Sequence, residues 1–220
     1  MNKQSGFTLV EIAIVLVIIG LLLGGVLKGQ ELINSAKVKN FATDFRNTPL
    51  LVYGYQDKFK ALPGDDSSAT AHVAGATLAT TPAASQGNGA INGVWDSTTA
   101  TDESVLFWQH VRLANLAAGV TDPAAAGYFP TNADGGRIGI EAGSGANPFI
   151  TGLTGSYVIC SKGIQGKFAK QLDITSDDGN TAAGAMRAVL ATVVGTTRGT
   201  TATATTSIDD TTNYTVCMAF

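Results

Sequence analysis

The hydrophobic pattern divides the chain into two unlike stretches. Residues 12–27 are sixteen positions without a charge, all apolar or glycine, and counted from Phe7 the run is twenty-one residues with a single charge, Glu11. A helix of that length spans about 30 Å, the thickness of a bilayer core. Beyond it the pattern turns from continuous to periodic. Val38, Phe41, Phe45, Val52, Tyr55 and Phe59 recur at spacings of 3, 4, 7, 3 and 4, which predicts one apolar stripe on a continuing helix. Lys37, Asp44, Arg46 and Asp57 fall on the opposite face. Pro49 lies inside the stripe and predicts a kink just before it, because proline lacks an N–H and its ring crowds the preceding turn. Leu62-Pro63-Gly64-Asp65-Asp66 predicts the turn that ends the helix.

The rest of the chain alternates weakly and is heavily punctuated. Residues 65–101 predict a long loop, with Gly87-Asn88-Gly89 and Asn92-Gly93 as turn signals. Residues 103–116 predict a helix that turns Phe107, Val111 and Ala114 to one side. Residues 117–155 are Gly-, Pro- and Ala-rich and predict irregular chain. A short strand is expected at residues 157–160, then a short helix carrying Ile164, Phe168 and Leu172 and ending at Asp173. Asp177-Asp178-Gly179-Asn180 predicts a turn, and residues 185–194 predict the strongest strand. After a Thr/Ala/Gly loop, Tyr214, Val216, Met218 and Phe220 alternate as a terminal strand with one apolar face.

Composition narrows the function more by exclusion than by assignment. The 220 residues suit one sizeable domain plus an appendage. A net charge of −3 supplies no basic field, so no nucleic-acid partner is inferred. There is no GxSxG, P-loop or HExxH pattern, and the chain is not expected to be an enzyme. Two histidines, His72 and His110, and two cysteines offer no zinc constellation at usual spacing. In an exported chain Cys160 and Cys217 read as one disulfide, and in a cytosolic chain as two core thiols. Two acidic loops, one of Asp173, Asp177, Asp178 and Asn180, the other of Asp209, Asp210 and Asn213, read either as solvated turns or as oxygen-donor sites for calcium. Neither has EF-hand spacing, and beyond that calcium no cofactor is expected.

The compartment is decided by the N-terminus. A cleaved secretory signal would place a small-x-small site after a shorter apolar core. Here only six residues, including Lys3, precede the run, and a carboxylate sits inside it. Gly6-Phe7-Thr8-Leu9-Val10-Glu11 followed directly by the apolar run resembles the processing site of type IV prepilins and type II secretion pseudopilins. The resemblance covers the leader and first helix. It implies cleavage after Gly6 by a prepilin peptidase, N-methylation of Phe7, and a role for Glu11 in assembly. Many members carry a proline near the position of Lys28; here Gly20, Gly24, Gly25 and Gly29 are the helix-weakening residues instead.

The resemblance also implies a pilin-like α+β fold, with a leader at residues 1–6, a transmembrane and assembly half-helix at 7–28, an amphipathic half-helix at 29–62, and a loop-rich head at 63–220 that supplies an antiparallel β-sheet for the helix to pack on. The expected function is a structural subunit that polymerises with copies of itself. Its expected partners are the prepilin peptidase, the inner-membrane assembly platform and, before assembly, the lipid bilayer. The expected location is the bacterial inner membrane as a single-pass precursor, then an extracellular pilus or a periplasmic pseudopilus. Two alternatives remain open: a minor tip pilin or pseudopilin whose head binds a ligand, and a membrane-anchored exported binding protein that never polymerises.

Overall fold

The computed structural model describes residues 8–144 and 147–220. The chain falls into two compact units that divide after Lys37. Helix α1 (Leu9–Phe59) is the longest element, and its residues before Val38 make up the first unit. There every side chain from Thr8 to Lys28 is exposed, Leu9 by 90%. Soluble helices bury one stripe; a helix apolar all round and exposed all round lacks its proper solvent.

The second unit, Val38–Phe220, is the head. The predicted stripe is its spine: Val38, Phe41, Phe45, Val52 and Tyr55 are buried, and Phe59 is half-buried. Helical assignment runs through Pro49 without a break, and Pro49 is itself among the buried residues. Lys60 then takes a left-handed φ of 57° and stops the helix. Short α2 (Ala69–His72) and α3 (Glu103–Leu113) follow. Helix α3 ends three residues before the expected Leu116, because Asn115 adopts φ 61°.

Four strands form one antiparallel sheet in the order β1-β2-β4-β3: β1 (Ile138–Ala142), β2 (Tyr157–Gln165), β3 (Met186–Leu190) and β4 (Asn213–Ala219). Strand β1 lies in the segment expected to be irregular. Strand β2 runs five residues beyond the expected end, with a register shift between Ser161 and Ile164. Ile164 is therefore in the sheet, and α4 (Gly166–Ser176) begins after it. The expected strand at 185–194 is shorter at both ends.

One face of the sheet (Ile138, Ile140, Ile159, Ala188, Val216) packs in a common core with α1, α3 and α4. The other face, which the alternation marked as polar, is also covered: Val158, Cys160, Val189 and Cys217 pack with Trp95, Phe149, Ile150 and Leu153 from the long connections. The loops thus act as a second layer. Gly139 in β1 shows how close that layer comes, since a Cβ there would meet the Trp95 carbonyl oxygen at 1.9 Å.

Candidate assembly helix and head sites

The first site is the start of α1. Thr8 precedes the first helical residue, and its N–H donates to Glu11 Oε2 at 2.8 Å. The Thr8 hydroxyl donates to the same oxygen at 2.8 Å and accepts the Glu11 N–H at 3.3 Å. This is a reciprocal capping box, in which two backbone donors that a helix start leaves orphaned are satisfied by two side chains. The Thr-x-x-Glu spacing signals it in the sequence, and the hydrophobic pattern alone misses it. Gly6 and Phe7, the predicted cleavage and methylation positions, lie outside the described residues.

Magnitudes decide where this helix is stable. Twelve Leu, Ile and Val lie between Ile12 and Leu27, worth about −4 to −7 kcal/mol on insertion scales. One carboxylate costs about 2.5–3.5 kcal/mol at the centre of a bilayer, and Glu11 is close to one end. Insertion wins. No glycine among Gly20, Gly24, Gly25 and Gly29 has another atom within 4 Å of a would-be Cβ, so within the subunit nothing requires them to be small.

The second site is a polar knot in the head, built on the Leu62–Asp66 turn. Gly64 has φ +89°, and a Cβ there would meet the Glu103 carbonyl oxygen at 2.3 Å. Asp65 accepts the backbone N–H groups of Gly87, Asn88 and Gly89 at 2.6, 3.1 and 2.7 Å. Asp66 accepts the Tyr55 hydroxyl at 2.8 Å and the Ser68 N–H at 2.8 Å, and pairs with His72 Nδ1 at 2.7 Å. Burial pushes the Asp66 carboxyl up, but His72, Tyr55 and Ser68 outweigh it and hold it below the usual carboxylate range. Glu103, fully buried, accepts the Asn92 N–H at 2.7 Å and the Ser85 hydroxyl. His110 accepts the Gly64 N–H on Nδ1 at 3.0 Å, so its proton is on Nε2, which donates to Thr77 O at 2.8 Å. Burial lowers the His110 pKa, partly opposed by Thr77 and Asp66. These acids and imidazoles are spent on holding loops, and the knot has the character of a fastening.

The cysteines stand directly opposite each other on β2 and β4, and Cys160–Cys217 is a disulfide. It closes a separation of 57 residues.

The two acidic loops differ. Asp209 Oδ1 is taken by the N–H groups of Thr211 and Thr212 and the Thr211 hydroxyl, and Asp210 pairs with Lys170. Asn213 lies in β4. In the other loop, Asp173, Asp177 and Asp178 bring ligand atoms within 4.8 Å of one another. Asp177 Oδ2 accepts the Met186 N–H at 2.8 Å, and Asp178 Oδ1 the Asn180 N–H at 2.9 Å. Asn180 sits in the same turn, with its Oδ1 accepting from Ala182 N–H at 3.2 Å. Asp173 is fully buried, and the Gly179 and Asn180 N–H groups near its carboxylate stand outside good hydrogen-bond geometry. Burial first, then Asp177 and Asp178, raise its pKa to about 6, with a weak opposing pull from the Gly179 and Asn180 N–H groups.

Residues 1–27 match the family described as the prokaryotic N-terminal methylation motif. The chain thus carries the prepilin-type motif, leading into a long apolar helix and a pilin-like α+β fold with a four-stranded antiparallel sheet. That motif supports a precursor of the type IV pilin or pseudopilin type, and with the apolar helix it fits a membrane-anchored one. No curated protein and no solved structure matches the chain.

Proposed function

We propose that this chain is a structural subunit of a type IV pilus or related pseudopilus, cleaved after Gly6, methylated on Phe7 and polymerised through α1. The observation that carries the reading is the methylation motif at residues 1–27 running into a helix exposed on every side. Such a surface is stable in lipid, and equally among copies of itself. Cleavage creates an α-amine on Phe7, and methylation of an amine keeps its charge. Buried among apolar helices, that cation needs an anion, since an unpaired charge there costs several kcal/mol. Glu11 of a neighbouring subunit is the anion. Its Oε2 serves its own Thr8, which leaves Oε1 to receive the neighbour's ammonium group and set the register between subunits. The subunit's work is structural and no catalytic step is assigned to it.

The test is electron microscopy of filaments sheared from cells, with mass spectrometry of their subunits. The expected result is this chain as a filament component, beginning at a methylated Phe7. A mature N-terminus beyond Leu27, or a chain confined to the membrane fraction of filament-bearing cells, overturns the proposal.

A further inference from the structure

Where the spine of the head ends, the surface opens into a cleft. Its first lobe, about 310 Å³, is lined by Tyr53 and Gln56 from α1, Leu62 from the turn after it, Ser156 and Tyr157 at the start of β2, and Phe220. Tyr53 and Gln56 stand three residues apart and therefore share one face of the helix. A second lobe of about 430 Å³ shares Gln56, Leu62 and Gly89 with the first, so the two are continuous. Small-molecule sites occupy about 300–1,000 Å³. The charged groups of the second lobe are already engaged. Asp65 holds three backbone N–H groups, Asp66 holds Tyr55, Ser68 and His72, and Lys60 Nζ donates to the Asp57 carbonyl at 2.7 Å. What the cleft offers an occupant is ring faces and uncharged hydrogen-bonding groups.

One of those groups lacks a partner. Tyr55, Tyr128, Tyr157 and Tyr214 are all buried. Tyr55 donates to Asp66 at 2.8 Å, Tyr128 donates to the Val105 carbonyl at 2.7 Å, and Tyr214 accepts the Asp209 N–H at 3.0 Å. Tyr157, 6% exposed, is the exception: its hydroxyl is unpaired, and the Tyr53 hydroxyl near it stands outside good hydrogen-bond geometry. Burial first, then Tyr53, pushes its pKa up, so the phenol keeps its proton and can both donate and accept. A buried hydroxyl left unpaired is destabilising. The Tyr157 ring itself is held by stacking on Phe220, with centroids 5.7 Å apart. Tyr53, 57% exposed, is the movable wall, and turning it outward opens the Tyr157 hydroxyl to an occupant.

We propose that this cleft binds a neutral sugar ring, with Tyr53, Gln56 and Tyr157 as its hydrogen-bonding residues and the aromatic rings as its stacking surface. A pyranose has an apolar face of C–H groups and a rim of hydroxyls that donate and accept. Phenol and carboxamide groups also do both. A sugar hydroxyl placed between the two phenols satisfies Tyr157, while the C–H face takes the rings. An aromatic side chain of a peptide would match the rings alone and leave the polar groups unpaired. A charged ligand would find the acids and the lysine of the second lobe already committed to other partners. The second lobe, continuous with the first, has room for a second sugar. All the lining residues belong to the head, so the proposal stands apart from the filament reading.

The experiment uses the full-length chain in a zwitterionic detergent without a sugar headgroup. The probes are the methyl glycosides of glucose, galactose, mannose and N-acetylglucosamine, with N-acetyl-tyrosinamide and N-acetylneuraminic acid in parallel. Binding is read by saturation-transfer NMR titration and stability by the melting temperature. The expected result is saturable binding of at least one neutral glycoside, weakened at least about tenfold by Tyr157→Phe and likewise by Tyr53→Ala. Asp209→Asn, outside the cleft, should leave it unchanged. Without ligand, Tyr157→Phe should melt no lower than the wild type, since it removes a hydroxyl that has no partner. No binding of any of these glycosides overturns the proposal, and so does binding that survives Tyr157→Phe. Preferential binding of N-acetyl-tyrosinamide replaces the sugar with an aromatic peptide side chain, and preferential binding of N-acetylneuraminic acid overturns the neutral ligand. A Tyr157→Phe chain that melts well below the wild type shows the hydroxyl to be satisfied within the head, which removes the basis of the site.

Discussion

Glu11 and His110 are polar groups in apolar company, and each is tested by replacement with glutamine, which does not titrate. Glu11→Gln keeps an acceptor for the Thr8 contacts, so the helix start should survive and the membrane-held subunit should be at least as stable. What the amide lacks is the charge to match a neighbour's Phe7 ammonium. Processing and insertion should therefore be intact while filament yield falls severely, since the uncompensated cation costs several kcal/mol per subunit. Immunoblots of membrane and sheared fractions from one culture read both quantities, and normal numbers of normal-length filaments would contradict the neutralising role. His110 titrates in the opposite sense from a surface histidine. Its Nδ1 is an acceptor for Gly64 N–H, and a proton placed there would set two donors face to face. Its neighbours are the stacked Tyr55 ring and, in charge, Asp66. With its pKa lowered by burial, the folded head binds fewer protons than the unfolded chain just below the ordinary value of 6.5. The stability from neutral His110 is complete above that pH and is lost as pH falls through it. Lowering pH from about 7.5 to 5.5 should lower the melting temperature of the wild type relative to that of His110→Gln, while Asp44 and Asp173, whose carboxyls burial pushes up to about 6, act in the opposite sense in both proteins alike. His72 is present in both proteins and cancels in the comparison. An unchanged pH profile in the variant would remove His110 from the account.

At the scale of elements, the parts legible in the sequence are those where one period runs uninterrupted. The spine of the head was readable because Val38, Phe41, Phe45, Val52 and Tyr55 keep helical spacing through Pro49, and all five are buried. Strand β1 was not, since Ile-Gly-Ile-Glu-Ala has only two large apolar residues, a glycine where backbone approaches backbone, and a glutamate. That glutamate is buried by partners far away in sequence, Arg198 and the Trp95 N–H, and no local pattern announces them. The end of β2 was hidden by its register shift, which breaks the alternation at Ser161 to Ile164. Of the candidate sites, the disulfide partners and the three aspartates Asp173, Asp177 and Asp178 come together as the sequence suggested, whereas the burial that distinguishes Asp173 from Asp209 exists only in the folded head. The pairing of β2 with β4 carries its own prediction. Cys160–Cys217 closes 57 residues, for which the chain-entropy estimate is about 4 kcal/mol. Cys160→Ala/Cys217→Ala should lower the stability of the head by that order in chemical denaturation, and quantitative alkylation of both thiols in the exported, unreduced protein would refute the bond itself.

For the whole molecule, the order in which strands are made differs from the order in which they pair. β4 is the last strand in sequence and an inner strand in space, between β2 and β3, and among the described residues β3 has no other strand neighbour. While the chain is being made the sheet is therefore an open frame. β1 and β2 are partners of each other, whereas β3 has no strand partner until residues 213–219 arrive. Throughout that interval the chain is tethered by α1 if the first helix is already in the bilayer, and tethering holds such incomplete heads apart. The two cysteines follow the same clock. Cys160 is made well before Cys217, and with two in the chain no incorrect internal pairing exists. The two face each other across β2 and β4 only when β4 lies in its slot, so an oxidised pair reports that the last strand is in place.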